Sequence, residues 1–159
     1  MRELLLRVCT NLHTRRSRLF YFLFLNMTLQ VRILTPDQQF WDAPADEIIL
    51  PTNSGQMGVL TNHAPLMTAL EVGVMVVRTQ KEWKSIALMA GFAFIKQNQV
   101  TILVNEAEAA ETIDADKAKE AYEQAQTKWE QASGQKEKVE ANIALKRARA
   151  RYQVVKATA

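Results

Sequence analysis

The sequence changes period once, near Asn105, and that switch constrains the fold more than any other feature. Before it, apolar residues alternate. In "LQVRIL", Leu29, Val31 and Ile33 share a face, and in "SIALMAGFAFIK" Ile86, Leu88, Ala90, Phe92 and Phe94 recur at period two. "DEIILPT", "GVMVVRT" and "VTILV" are short β-rich runs. "TQKEWK" and "QNQ" punctuate them as turns, and Gly91 marks a bulge or bend. No helix-length period interrupts these runs, which argues against a parallel α/β sheet. After Asn105, Ala115, Ala118, Tyr122, Ala125, Trp129 and Ala132 fall at gaps of three and four, a heptad seam. Asp114 is placed to cap that helix, and Gly134 suits the left-handed position that ends it. A second helix follows from about Gln135, with Ala141, Ala144, Ala148 and Val155 along one face. The short connection makes the two helices antiparallel. The expected fold is therefore an N-terminal antiparallel β-sandwich, residues 27–105, followed by an α-helical hairpin, residues 106–159.

Alanine favours helix but buries little area. Helices lined this way form readily and grip weakly, which suits an element able to leave its resting place. A static, solvated hairpin is the plainer alternative. The second helix is also polarised, with Lys146, Arg147, Arg149, Arg151 and Lys156 following Glu140. Cations suit a helix C-terminus, and they also suit an acidic protein partner.

Residues 1–26 differ in style from the rest. They hold five arginines and one acid, so of the chain's 20 bases and 17 acids the body from Met27 keeps 15 and 16. The formal charge of +3 therefore belongs to this leader, and the near-neutral body gives no reason to expect nucleic-acid binding. Its apolar run, Leu19 to Leu25, is far shorter than the roughly 20 residues of a membrane span. An upstream start with Met27 as the true beginning, a targeting peptide and a functional arm are the readings open for it. The one cysteine, Cys9, lies here, and the body's one histidine is His63, so the body carries no thiolate or histidine-rich metal set.

"PTNSGQMGVLTNHAPL", Pro51 to Leu66, has the look of an active-site loop. Yet His63 has no local carboxylate or activated nucleophile, and "GQMG" lacks the lysine and the spacing of a phosphate loop. No convergent catalytic set appears elsewhere, so the chain does not read as an enzyme. The stretch instead resembles the signature loop of the epsilon subunits of F-type ATP synthases. The likeness continues through "LMAGFAFIKQNQVTILVNEAE" and "VEANIALKRARAR", covering essentially Met27 to Ala157, and "MTLQVRILTP" resembles the chloroplast and cyanobacterial branch. That resemblance implies a sandwich of about ten strands and a helical hairpin. It implies a non-catalytic central-stalk subunit, peripheral on the thylakoid membrane at its stromal or cytoplasmic side. The subunit would lie beside the gamma subunit and the c-ring, coupling proton flow to ATP synthesis. It implies c-ring contact through Gln56 and His63. It further implies a hairpin that extends toward the alpha/beta catalytic head, through Lys146, Arg147, Arg149 and Arg151, and inhibits ATP hydrolysis. Some relatives bind ATP on the folded hairpin. The matching positions are Ile113, Asp114, Lys117, Arg147 and Arg151, with Lys117 standing where those relatives have arginine; lysine lacks the planar fork, which argues against an ATP site. Outside that family, the alternative is a sandwich adaptor that binds an acidic partner through the hairpin.

Overall fold

A computed structural model describes residues 28–158; the leader and Met27 lie outside the described residues. Eight strands form the first part. β1 (Leu29–Leu34), β2 (Gln39–Ala45), β3 (Glu47–Thr52), β4 (Gly55–Leu60) and β7 (Gln99–Val104) are short, β5 (Leu66–Thr79) and β6 (Glu82–Lys96) are long, and β8 (Ala107–Ala109) is a three-residue piece. Their order is β2-β1-β7-β6-β5-β3-β4, with β8 added to β6. Ala45 at one end of this order and Val59 at the other are buried in one core cluster, so the sheet is folded over on itself as a sandwich. Pairing is antiparallel except between β1 and β7, which run parallel. The strand count is eight rather than about ten because β5 and β6 stay continuous where they bend.

The bend explains a larger departure. Leu70 pairs with Gly91 and Val72 with Met89, so the register is kept through the bend and only Glu71 and Ala90, opposite one another, drop out of the ladder. Ala90 has φ 57, and a Cβ on Gly91 would lie 2.0 Å from the Leu103 carbonyl oxygen. Of the bulge or bend that Gly91 suggested, the bend is present: no residue is inserted against the neighbouring strands, but the left-handed Ala90 reverses the alternation. Ile86 and Leu88 face the main core, but beyond the bend Ala93 and Ile95 do, leaving Phe92 57% and Phe94 49% exposed. A strict period of two through the whole segment is therefore wrong past Ala90. Before the bend both faces are covered: Ala87 and Met89 belong to a second cluster, beneath α2.

The turns are tight. Gln80–Lys81 and Gln97–Asn98 carry positive φ at both positions, the geometry of two-residue hairpins.

A 3-10 turn, Ala110–Thr112, leads into helix α1 (Ala115–Gln131) and then α2 (Gln135–Thr158). Asp114 caps α1 as expected, its Oδ1 accepting from the backbone N–H of Asp116 at 3.1 Å and of Lys117 at 3.3 Å. Gly134 does not take a left-handed conformation. Ala132 leaves α1 extended, and Gly134 instead starts α2. Its carbonyl accepts from Lys138 and its N–H donates to Glu137, half of a capping box. The helices are neighbours along the alanine seam, with Ala118, Ala125 and Ala148 buried and Tyr122 stacked on Tyr152 at 5.5 Å. Ala115, Ala144 and Trp129 are exposed, so the seam closes in its middle and opens at its ends.

Candidate functional site

Three surfaces carry the residues that the sequence singles out. The first is the Pro51–Leu66 stretch, which is an edge hairpin rather than an open loop. β4 pairs with β3 from Glu47↔Leu60 to Thr52↔Gly55 and has no further neighbour. The turn is closed by Thr52, whose Oγ1 donates to the Gly55 carbonyl at 2.7 Å. Pro51 packs where Gly73 has no side chain: a Cβ there would lie 2.8 Å from Pro51 Cβ. Gln56 stands exposed at the start of β4. His63 follows its far end, half-buried, with Nδ1 donating to the Ala64 carbonyl at 2.8 Å. Asn62, at φ 62, donates its N–H to Asn98 Oδ1 at 2.6 Å, which ties this corner to the β6–β7 turn. Gln56 and His63 thus share one edge but not one point, being separated by most of β4, about 13 Å at ~3.3 Å per residue. His63 has neither acid nor nucleophile as a hydrogen-bond partner, so no catalytic constellation forms around it.

The second surface was not foreseen. Cross-strand register sets Met67 beside Phe94, and Phe92 between Ala69 and Leu103. Met67, Phe92, Phe94 and Leu103 are 70%, 57%, 49% and 52% exposed, a contiguous apolar patch on the outer side of β5, β6 and β7. Patches of this kind mark protein contacts. A cleft lined by Leu34, Ala69, Phe92, Leu103 and Asn105 adjoins it. The signal that could have found the patch is Gly91 itself, because a bend there through left-handed Ala90 inverts every side chain after it.

The third surface is where α2 lies on β5 and β6. Ala150 and Val154 are buried against Ala87 and Met89, with Val72, Val74, Ala110 and Ile113 around them. Ala150 and Val154 are absent from the face read off the sequence, because alternating arginines hide a second, sheet-facing stripe. Arg151 Nε donates to Glu108 Oε1 at 2.8 Å and Oε2 at 3.0 Å, and its Nη2 reaches Glu108 and, at 3.4 Å, Glu106 Oε1. The hydrogen-bonded Glu108 carboxylate holds the guanidinium pKa above its ordinary value, against partial burial. Lys146 Nζ meets Glu71 Oε2 at 3.3 Å. Arg147 and Arg149 are exposed and form no ion pair among the described residues.

Of the residues matching a nucleotide site, Ile113 sits in the apolar contact, Lys117 Nζ pairs with Asp114 Oδ2 at 3.4 Å, and Arg151 is held by two glutamates. Only Arg147 is uncommitted. Among the described residues no group of three His, Cys, Asp or Glu is placed to hold a metal, and no helix is long and apolar enough to cross a membrane.

Residues 28–110 match the family model of the ATP synthase delta/epsilon chain β-sandwich domain, and residues 111–156 match that of the long α-helix domain. The chain belongs to the ATP synthase delta/epsilon family. It is 65% identical over 129 residues to the chloroplastic ATP synthase epsilon chain of Tupiella akineta, covering 81% of this chain and 99% of that one. With the corresponding chain of Oltmannsiellopsis viridis the identity is 66%, covering 81% and 98%. Among solved structures, a chain of the Euglena gracilis mitochondrial ATP synthase, solved as OSCP/F1/c-ring in a rotational state, superposes with a TM-score of 0.71 at 25% identity, covering 83% of this chain and 81% of that chain. Members of this family are non-catalytic subunits of the ATP synthase complex.

Proposed function

We propose that this chain is an epsilon-type central-stalk subunit of a chloroplast F-type ATP synthase, peripheral on the stromal side of the thylakoid membrane. In that role the β-sandwich is a rigid clamp on the rotor. The observation that carries the reading is the outward patch of Met67, Phe92, Phe94 and Leu103. A bend with a left-handed alanine puts Phe92 and Phe94 in water at a cost of about 1–2 kcal/mol, and a covering gamma subunit gives that cost a purpose. Edge strand β4 carries Gln56 and His63 toward the polar loops of the c-ring. The adaptor reading shares the cationic helix but gives the sheet patch no role.

The hairpin is the regulatory half of the proposal. Met89 and Val154 are the large side chains fully buried between α2 and the sheet, worth about 1.5–3 kcal/mol each. That is small beside the main core, so α2 can leave the sheet while the sandwich stays folded. Once extended, it presents Lys146, Arg147, Arg149 and Arg151 to the acidic surface of the alpha/beta head and blocks hydrolysis. Nucleotide binding is not part of this reading, because two of the three cations that would take phosphate, Lys117 and Arg151, are already paired with Asp114, Glu106 and Glu108. The test is ATP hydrolysis by the reconstituted complex with residues 106–159 deleted. Hydrolysis rises if the hairpin inhibits. Unchanged hydrolysis removes the inhibitory role, and failure of the truncated chain to copurify with gamma removes the clamp.

A further inference from the structure

The His63 corner and the apolar patch meet at one end of the β5–β6 ladder. The corner between β4 and β5, residues 61–65, ends where Leu66 opens β5 opposite Ile95, and the next pair is Met67 with Phe94 of the patch. On the neighbouring strand, the β6–β7 turn at Gln97 and Asn98 starts just beyond Lys96. Corner and turn are therefore neighbours in space, although Asn62 and Asn98 are 36 residues apart in the chain. A side chain joins them. Asn98 Oδ1 accepts from the Asn62 N–H at 2.6 Å, while the Asn98 carbonyl accepts from the Gln30 N–H at 2.8 Å. One half-buried turn residue thus holds both the start of β1 and the β4–β5 corner.

The residue type at this position follows from that bond and not from the turn. Asn98 has φ 62, a conformation that glycine takes at less cost. Asparagine and aspartate tolerate it and also bring a short-range acceptor. Asn62 is left-handed too, at φ 62, and this points its N–H at the turn. The other bonds of the corner lie within it. The His63 N–H donates to the Leu60 carbonyl at 3.2 Å, and Nδ1 donates to the Ala64 carbonyl at 2.8 Å. With Nδ1 donating, the neutral ring presents Nε2 as an acceptor.

We propose that Asn98 is a positioning residue: its Oδ1 fixes the His63 corner to the turn between the two strands that carry Phe92, Phe94 and Leu103, so that the corner facing the c-ring and the patch facing gamma move as one body. The inference rests on the proposed roles of those two surfaces and names a contact that links them. The chain itself holds the corner at its two ends, and the tie adds an anchorage on β6 and β7. A load taken up at His63 then reaches the patch across the sheet as well as along β5.

The experiment uses the full chain with Cys9→Ser. Asn98→Gly deletes the acceptor but suits the turn, and Asn98→Asp keeps the acceptor. Amide exchange of Asn62 and His63 is read first. Asn98→Gly speeds it about five- to tenfold, the factor expected for loss of one net hydrogen bond, with Tm unchanged or raised. Asn98→Asp stays near the parent. A photocrosslinker on His63→Cys or on Gln56→Cys then reads capture of the c-ring in the reconstituted complex. Asn98→Gly lowers capture from position 63 and leaves capture from position 56, at the other end of β4, as it was. Unchanged exchange at Asn62 in Asn98→Gly overturns the proposal, as do glycine and aspartate variants that behave alike or capture that falls equally at both positions. If exchange responds as expected while the parent captures no c-ring from either position, the c-ring reading fails and the tie stands.

Discussion

Gly91→Ala is the most severe single change available to the sandwich. The new Cβ would lie 2.0 Å from the Leu103 carbonyl oxygen and 2.9 Å from Val104 Cα, both backbone atoms of the paired strand. Contacts under 3 Å require movement, and here no flexible side chain can yield, so β7 must move away by about 1 Å or more. That opens the Gly91↔Val104 end of the β6–β7 ladder. Overpacking costs about 1–3 kcal/mol and a disrupted buried hydrogen bond about 1–3 more. A total of about 3–5 kcal/mol corresponds to a fall in Tm of roughly 10 °C for a chain of this size. Ala90→Gly is the complementary control. It relieves the left-handed alanine, worth about 1–2 kcal/mol, less about 0.5–1 for glycine's greater freedom when unfolded, and leaves a gain near 1 kcal/mol or less. Urea unfolding followed by far-UV circular dichroism measures both. A Gly91→Ala protein within 1 kcal/mol of the parent would mean that the bend is not fixed at this residue. The outward placement of Phe92 and Phe94, and the docking face built on it, would then fall too.

Phe92→Ser and Phe94→Ser remove exposed apolar surface. Monomer stability should stay within about 0.5 kcal/mol, while copurification with gamma drops sharply; a variant that unfolds but still binds contradicts the assignment. Tyr122→Ala removes the stack on Tyr152 and should cost the hairpin about 0.5–1.5 kcal/mol beyond lost area, read as faster amide exchange in α1 with the sandwich unchanged. The Asp114 pKa is lowered from 3.8, first by the hydrogen bond from the Lys117 N–H. The cap therefore supports α1 fully above about pH 4 and loses that support as pH falls through the depressed value. Asp114→Asn should flatten this acid dependence of helicity near residues 115–118, and an unaltered pH profile would show that the cap carboxylate is not responsible.

The sequence was most legible where one period holds without interruption. The change from strands to helices, the Asp114 cap and the middle of the alanine seam follow directly from the sequence, whereas the short β8 lies beyond Asn105, where the alternation had been read as ending. The two turns at Gln80–Lys81 and Gln97–Asn98 were located by polarity, though neither has the glycine that usually announces such a turn. What stayed hidden was two-sided burial. Ala87 and Met89 look like the solvent side of an alternating strand until a helix is known to cover them. Ala150 and Val154 look incidental among arginines until the same contact is seen from the other side. β2 and β4 were missed because their alternation is masked by residue type: Met57 and Val59 of β4 turn inward between exposed Gln56, Gly58 and Leu60, and the outward leucine and glycine blur the pattern. For the site, spacing could name Lys146 and Arg151 as partner-seeking cations. It could not show that Glu71, 75 residues away from Lys146, and Glu108, 43 from Arg151, already answer them.

Taken together, the two clusters define a molecule with two stabilities. The main core joins residues from seven strands, whereas the hairpin rests on four buried side chains and two sets of partly exposed ion pairs. A single cooperative unit would need the helices to bury as much per residue as the strands, and their alanine seam prevents that. The consequence is an order of opening: the α2–sheet contact first, the helix seam next and the sandwich last. For the role proposed above, that order lets one chain hold a rotor continuously while its C-terminal half changes place. The scarcity of large side chains between α2 and the sheet is thus what the proposed release asks of the packing.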